Sequence, residues 1–414
     1  MLTHCVRTGR ALALALAPVL VIAGCQSSQS SDIASAPQPA PAGAVASALP
    51  GAAADRGAFV VRLGVDTIAV ESFTRTADRL EVDAALRTPT TVVRHYVVSL
   101  SPTGTPTKLE YEGRRVNNSA PPTIATVNFG ADTAVMDLKL GDSTQTIRLP
   151  ARDAIPFVSN SFAMMELATR RAVAAATDSV PVTLVALGAT ETAVLPVVRG
   201  GNKDTLTIWY FGDPMHARVD REGRILGLEG LSTTSKVLVD RVASADVKAF
   251  ATASAARDAQ GQGIGQLSPL DSVRATLGAA HVGVTYSRPF KRGRTIFGGV
   301  VPYDKVWRTG ANAATSFTTD VPLEMGGTTI PAGSYTLFTL PTQAGWKLIV
   351  NKQTGQWGTE YHAEQDLARV DLTTRKLPQP VEQFTIGIEP NAGGGILKMM
   401  WDDTELSVPF KPKG

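Results

Sequence analysis

Cysteine is almost missing from this chain of 414 residues: there are two, Cys5 and Cys25. Everything after residue 25 is therefore without a thiol, which excludes disulfides, thiolate metal sites and a cysteine nucleophile there. A chain without disulfides relies on a core of ordinary size, which this length allows. Histidine is sparse too. His95, His216, His281 and His362 follow residue 25, no two of them at zinc-ligand spacing, and neither HExxH nor G-x-S-x-G occurs. Charge of one sign is lacking as well: Lys and Arg total 40 against 37 Asp and Glu. Without residues 1–24, which hold Arg7 and Arg10 and no acid, the balance is 38 to 37, and this gives no electrostatic footprint for nucleic acid. Long apolar runs are missing. A membrane span needs roughly 20 apolar residues; residues 11–22 make a run of about a dozen that contains Pro18, and no later segment is longer and apolar enough to cross a bilayer.

What is present starts at the N-terminus. Arg7 and Arg10 precede the apolar run ALALALAPVLVI, which ends in Ile22-Ala23-Gly24-Cys25. A basic start, an apolar stretch and small residues are the parts of a secretory signal. With cysteine at the +1 position, the tetrad resembles the lipobox of bacterial lipoproteins. The resemblance implies that residues 1–24 are removed and that Cys25 is diacylated and becomes the mature N-terminus. Buried acyl chains then hold the protein to a membrane at roughly 0.8 kcal/mol per CH₂. Gln26 at +2 resembles the pattern sorted to the outer membrane in bacteria with two membranes. A plain secretory peptide cut elsewhere is the competing reading. Residues 25–57 combine the lipidated cysteine with a Ser-, Ala-, Pro- and Gly-rich stretch that cannot offset its ordering entropy, so a disordered tether is expected.

The fold class expected from the rest is mainly β: an N-terminal antiparallel β-rich domain with one helix (58–247), a linker (248–266) and a C-terminal β-sandwich (267–414). In the first region Leu80, Val82 and Ala84 alternate with Arg79, Glu81 and Asp83, and Met136, Leu138 and Leu140 alternate with Asp137 and Lys139. Such period-two patterns argue half-buried strands. Ser101-Pro102-Thr103-Gly104 and Asp220-Arg221-Glu222-Gly223 read as hairpin turns. Residues 161–176 are instead rich in helix formers behind a capping Ser161. The linker begins helix-like and ends in Gly261-x-Gly263-x-Gly265, a loose glycine run rather than a phosphate loop. In the last region short strands recur, among them Val282, Val284, Tyr286 and Trp346, Leu348, Val350. The final pair is expected to be joined by a turn at Asp402-Asp403-Thr404.

One constellation stands out there. Val284-Thr285-Tyr286-Ser287-Arg288-Pro289 continues through Gly293-Arg294-Thr295-Ile296-Phe297-Gly298-Gly299 and Val301-Pro302-Tyr303 to Trp307-Arg308-Thr309-Gly310-Ala311-Asn312. Pro331-Ala332-Gly333-Ser334-Tyr335 and Gln356-Trp357-Gly358 follow. Over about residues 267–412 this resembles the DUF2911 family, a bacterial domain of unknown function common in exported proteins. The resemblance implies a compartment and a fold but no reaction, and where members carry an acid after the asparagine this chain has Ala313. On their own chemistry, Tyr286, Arg288, Arg294, Tyr303, Trp307, Arg308, Asn312 and Trp357 are the candidate ligand-binding residues. Guanidinium groups give bidentate bonds to carboxylate or phosphate, and aromatic faces stack on sugars. The plainer alternative makes Trp307 a core anchor, has Arg308 bond loop carbonyls, and leaves Lys291 and Arg292 in a solvated turn. No catalytic residue, metal site or cofactor is assigned.

Three functions fit this pattern. The first is a non-catalytic binding or interaction lipoprotein, held to the membrane by its N-terminal lipid and meeting a small molecule, a glycan or a protein in the envelope. The second is an envelope hydrolase or other enzyme with a site between the domains, using His281 or His362 with nearby acids. The third is a structural envelope component, which would expose an apolar patch.

Overall fold

The computed structural model describes residues 54–202, 204–210, 212–233, 235–278 and 280–413. The signal segment 1–24, Cys25 and the tether as far as residue 53 lie outside the described residues. No helix among the described residues is long and apolar enough to cross a membrane. The described part is mostly β, with two sheets and two α-helices.

The alternating segments become strands with one buried face: Leu80, Val82 and Ala84 are buried while Arg79 and Asp83 are exposed. The first arm runs β1 (Asp55–Leu63), β2 (Asp66–Arg75), β3 (Arg79–Leu86), β4 (Val92–Leu100) and β5 (Pro106–Arg115). It continues through β6 (Thr123–Phe129) and β7 (Thr133–Leu140) to β8 (Ser143–Pro150); the short β9 (Ile155–Phe157), next in the chain, sits at the far end of the second arm. After helix α1 (Phe162–Ala174) come β10 (Ser179–Ala186), β11 (Ala193–Arg199), β12 (Thr205–Tyr210), β13 (Asp213–Val219), β14 (Ile225–Glu229) and β15 (Leu238–Val242). Neighbours in sequence pair as antiparallel hairpins, closed at Ser101–Gly104 and Asp220–Gly223 by turns with bonds of 2.8 and 3.0 Å. One long-range pairing, β1 with β15, joins the arms into a single fifteen-stranded ladder, with Phe59 opposite Arg241. β9 alone pairs in parallel, with β10.

Helix α1 lies inside this sheet. Phe162, Met164, Met165 and Leu167 share one core with Tyr96 and Leu109 of one arm and Leu184 and Ile208 of the other. Each such burial stabilises the fold by about 1.5–3 kcal/mol. A helix so enclosed must satisfy its terminal backbone groups with protein partners. At its start Ser161 Oγ accepts from Met164 N at 3.2 Å, while Glu71 Oε1, from β2, accepts from Phe162 N at 2.6 Å and Ala163 N at 2.7 Å. At its end the Arg199 guanidinium donates to the carbonyls of Ala172, Val173 and Ala175. The base at the C-terminus matches the helix dipole. Between the two ends Glu166 is fully buried and accepts from Arg75, Arg241 and the backbone of Ile225.

The segment between the sheets is docked. Helix α2 (Val247–Ala259), capped by Asp246, sets Ala251 and Phe250 against Val60, Val70, Ala85 and Val93 on the outer face of the first sheet. Asp258 accepts from the backbone and hydroxyl of Thr91. Gly261, at φ 71°, ends this helix, so the glycine run serves as a helix stop.

The second sheet comprises β16 (Leu270–Leu277), β17 (Ala280–Ser287), β18 (Ala311–Thr319), β19 (Leu323–Met325) and β20 (Thr328–Ile330). It is completed by β21 (Gly333–Pro341), β22 (Trp346–Asn351), β23 (Asp366–Asn391) and β24 (Gly394–Pro412). The long β23 pairs first with β22 and then with β24, whose end carries β19 and β20. The sheet thus folds over itself, and Val284, Phe317 and Leu348 of one half meet Phe384, Leu397 and Trp401 of the other in one core. The expected turn at Asp402-Asp403-Thr404 is corrected here: β24 runs through it without reversing. Asp402 takes φ 51° and the pairing register with β23 shifts on either side of Val381, so left-handed backbone makes a bulge rather than a hairpin.

Candidate functional site

Glycine and left-handed backbone bring the two sheets together. The β1–β2 turn rests on the loop that carries Arg292 and Arg294. Val65 N–H donates to Arg292 O at 3.1 Å, and the Arg292 guanidinium pairs with Asp66 at 2.7 Å. A Cβ at Gly64 would stand 2.1 Å from Arg292 O and 3.0 Å from Arg294 Cγ, a spacing that only glycine permits. Because Arg62 pairs with Leu238, the loop before β15, with Lys236, arrives at the same edge.

The candidate residues divide into two groups around this junction. Tyr286 is buried, its hydroxyl accepting from Ile386 N at 2.8 Å and its ring set edge-on to Phe384. Trp307 stacks on Trp401 with centroids 5.9 Å apart and meets Phe384 edge-on, while its backbone bridges to Thr339. Arg288 is spent on Phe384 O, Asp271 and Thr385 Oγ1. These three side chains hold the core and the β16–β23 contact.

Arg308, Asn312 and Trp357 lie on adjacent segments at the rim, while Arg294 lies on the loop under the β1–β2 turn. Arg294 donates to the carbonyls of Phe290 and Lys291. Arg308 Nη1 donates to Asn312 O at 3.2 Å, and its stem crosses Gly358, whose Cβ would lie 2.2 Å from Arg308 Cδ. Asn312 is exposed, with its amide 3.4 Å from Ser268 O, and Trp357 is half-buried and bridged to Ala313. Tyr303 is half-buried beside Gly298.

Two rim residues come from the first sheet, and sequence reasoning missed both: Lys236 and Asp213. The Lys236 ammonium donates to Leu231 O at 2.8 Å. Burial, aided by the charges of Arg308 and Arg294 and opposed by Asp213, pushes its pKa down to about 8. Burial also lowers that of Arg308, against the pull of Asp213. Burial and Arg292 do the same to Arg294, against Glu382. Eight described non-glycine residues have left-handed backbone, and Lys236, Arg292, Thr309 and Asn312 of this junction are four of them. For a β-branched residue such as Thr309 that conformation is costly, and it is held by Thr315 Oγ1 donating to Thr309 O at 2.7 Å. Between Ser161 at the head of α1 and Ser235 and Val237 beside Lys236 lies a narrow cavity of about 20 Å³, room for one water.

The histidines lie elsewhere. His281 bonds Asp320 at 2.6 Å and His362 meets Glu364 at 3.2 Å, and both pairs are solvent-exposed. Among the described residues no group of three His, Cys, Asp or Glu side chains could hold a metal.

The strand pattern, the aromatic core and the junction loops of the second sheet all fall within one known unit. Residues 268–410 match the DUF2911 family, described as a protein of unknown function. The DUF2911 unit thus carries every candidate ligand-binding residue, and Lys236 and Asp213 reach it from outside. No curated protein matches the chain. Among solved structures, a DUF1089 family protein from Pseudomonas aeruginosa is similar at 11% identity and a TM-score of 0.30, covering 41% of this chain and 93% of that one. A β-barrel-like protein of the domain of unknown function DUF1849 from Brucella abortus is similar at 10% identity and a TM-score of 0.32, covering 46% and 94%.

Proposed function

We propose that this protein is a lipid-anchored component of the bacterial cell envelope that binds a ligand or partner without transforming it. The N-terminal tetrad ending in Cys25 supports the anchor. The observation that carries the binding reading is Arg308. Its side chain is half-buried, and it is positioned by Asn312 O and by the space that Gly358 leaves next to Trp357 in the chain. A planar fork of donors suits a carboxylate or a phosphate, and an aromatic residue near it in the chain suits a sugar. The enzymatic alternative gains no support from His281 and His362, whose acidic neighbours sit with them in solvent.

Native mass spectrometry of the full-length protein, extracted in mild detergent from its own envelope, tests this. A bound mass in the wild type that disappears in Arg308→Gln is the expected result. Bare protein in both, or an adduct that is chemically altered on turnover, overturns it.

A further inference from the structure

We propose that the outer face of the first sheet carries, over β13 and β14, a site for a zwitterion: Arg218 receives a phosphate, and Glu229 receives the ammonium that a two-carbon chain joins to it. Phosphoethanolamine has this chemistry, whether free or as the head group of a phospholipid. The inference goes beyond the binding reading above, which places its ligand at Arg308 on the second sheet, and either can fail alone.

The pairing register builds the site. It sets Arg218 opposite Gly227 and His216 opposite Glu229. Residues two apart on a strand share a face, so these four positions form a square on the side away from the core. Ala217 and Leu228 between them are buried, while Arg218, His216 and Glu229 are exposed. Gly227 is the vacant corner. Its backbone is not left-handed, so what the glycine contributes is space. A Cβ there would stand 3.1 Å from Arg218 Nη2 and 3.7 Å from Nε, which puts the guanidinium across the gap. The pairing shifts at the next position, between Arg218 and Val219, and a bulge of this kind re-aims side chains. The result is a groove of about 370 Å³ that Arg218, His216 and Glu229 line together, with Leu238 and the ion-paired Arg62 and Asp240.

Charge selects the ligand. Arg62 and Asp240 satisfy each other, and His216 Nδ1 lies 3.3 Å from Thr207 Oγ1. Among the described residues, the side chains of Arg218 and Glu229 have no hydrogen-bond or ion-pair partner, although they carry opposite charges in one groove. Positions 227 and 229 stand roughly 7 Å apart along β14. A guanidinium over the first and a carboxylate on the second therefore leave a gap that one molecule with both charges can bridge. The guanidinium fork fits phosphate oxygens, and the carboxylate accepts from an ammonium. A lone anion would meet the repulsion of Glu229 and a lone cation that of Arg218, whereas a zwitterion meets neither.

Isothermal titration calorimetry of the full-length protein with phosphoethanolamine tests the site. Saturable binding is expected, and Arg218→Gln and Glu229→Gln should each weaken it at least about tenfold. Gly227→Val suits a strand and leaves every charge in place, yet fills the groove, and it should abolish binding. Inorganic phosphate and ethanolamine, each given alone, should bind at least about tenfold more weakly than the joined molecule. No saturable binding of phosphoethanolamine, or binding that all three variants leave unchanged, overturns the site. Flotation of Cys25→Ser protein with vesicles of phosphatidylethanolamine and phosphatidylglycerol, against phosphatidylglycerol alone, then separates the two sources. Capture by the mixed vesicles that Glu229→Gln abolishes identifies the lipid head group; soluble binding without capture identifies the free compound.

Discussion

Replacing Glu71 by glutamine should remove a pH dependence that the wild-type fold carries. Glu71 is buried under the first turn of α1, and burial, outweighing its hydrogen bonds to Ala163, Phe162, Ser161 and Tyr96, raises its pKa to about 7. The hydrogen bonds favour the carboxylate but also accommodate the neutral acid. Tyr96 Oη lies 3.2 Å from Glu71 Oε2 and 2.5 Å from Ser161 Oγ, and its single proton serves only one of them. With a proton on Oε2, Glu71 donates to Tyr96, Tyr96 donates to Ser161, and Oε1 keeps both helix N–H groups. The folded chain therefore holds this proton up to about pH 7, while the unfolded chain releases it near the ordinary 4.5. Between those values the folded state binds more protons, so the contribution of Glu71 is fully present below about 4.5 and lost as pH rises through 7. The gap corresponds to about 3 kcal/mol. Glutamine copies the protonated acid, with its carbonyl on the two N–H groups and its amide on Tyr96. Urea unfolding from pH 4.5 to 8 should then show the wild type losing about 3 kcal/mol relative to Glu71→Gln. A difference that is flat, or that favours the wild type at high pH, would mean that the helix N-terminus overcomes burial, and the reasoning fails.

Other consequences are as direct. Arg199→Gln leaves the last carbonyls of α1 without their guanidinium partner and should cost about 1 kcal/mol, read by urea unfolding, less so in high salt. Cys25→Ser should move the protein from the membrane fraction to the soluble envelope fraction, as blotting of both fractions would reveal; unchanged membrane association contradicts lipid anchoring.

The sequence reading succeeded where the physics is local. Alternation marked Leu80, Val82 and Ala84 as an inward row, and Ser161 marked the start of α1 by its capping chemistry. It failed where meaning depends on a distant partner. Glu71 and Arg75 occupy inward positions of β2, yet acids and bases in a strand read as solvent-facing until α1 brings an N-terminus and Glu166 to meet them. Asp402 shows the same limit in the backbone: a left-handed residue makes a turn or a bulge according to whether the neighbouring strand continues, and β23 does. The aromatic–arginine set was visible as a cluster in sequence, but its division into a core group and a rim was not, because Trp401 and Phe384 lie far along the chain. Lys236 carried no signal at all. Its neighbours Arg308 and Arg294 belong to another sheet, and only the pairing of β1 with β15 delivers it there.

The account stands most directly on what Arg308 holds. A crystal structure of the full-length protein, purified from its own envelope in a buffer without phosphate or carboxylate, would show it. Density for a ligand within hydrogen-bond reach of the Arg308 guanidinium is the predicted result. An Arg308 guanidinium bonded only to protein groups, with no ligand beside it, would contradict it.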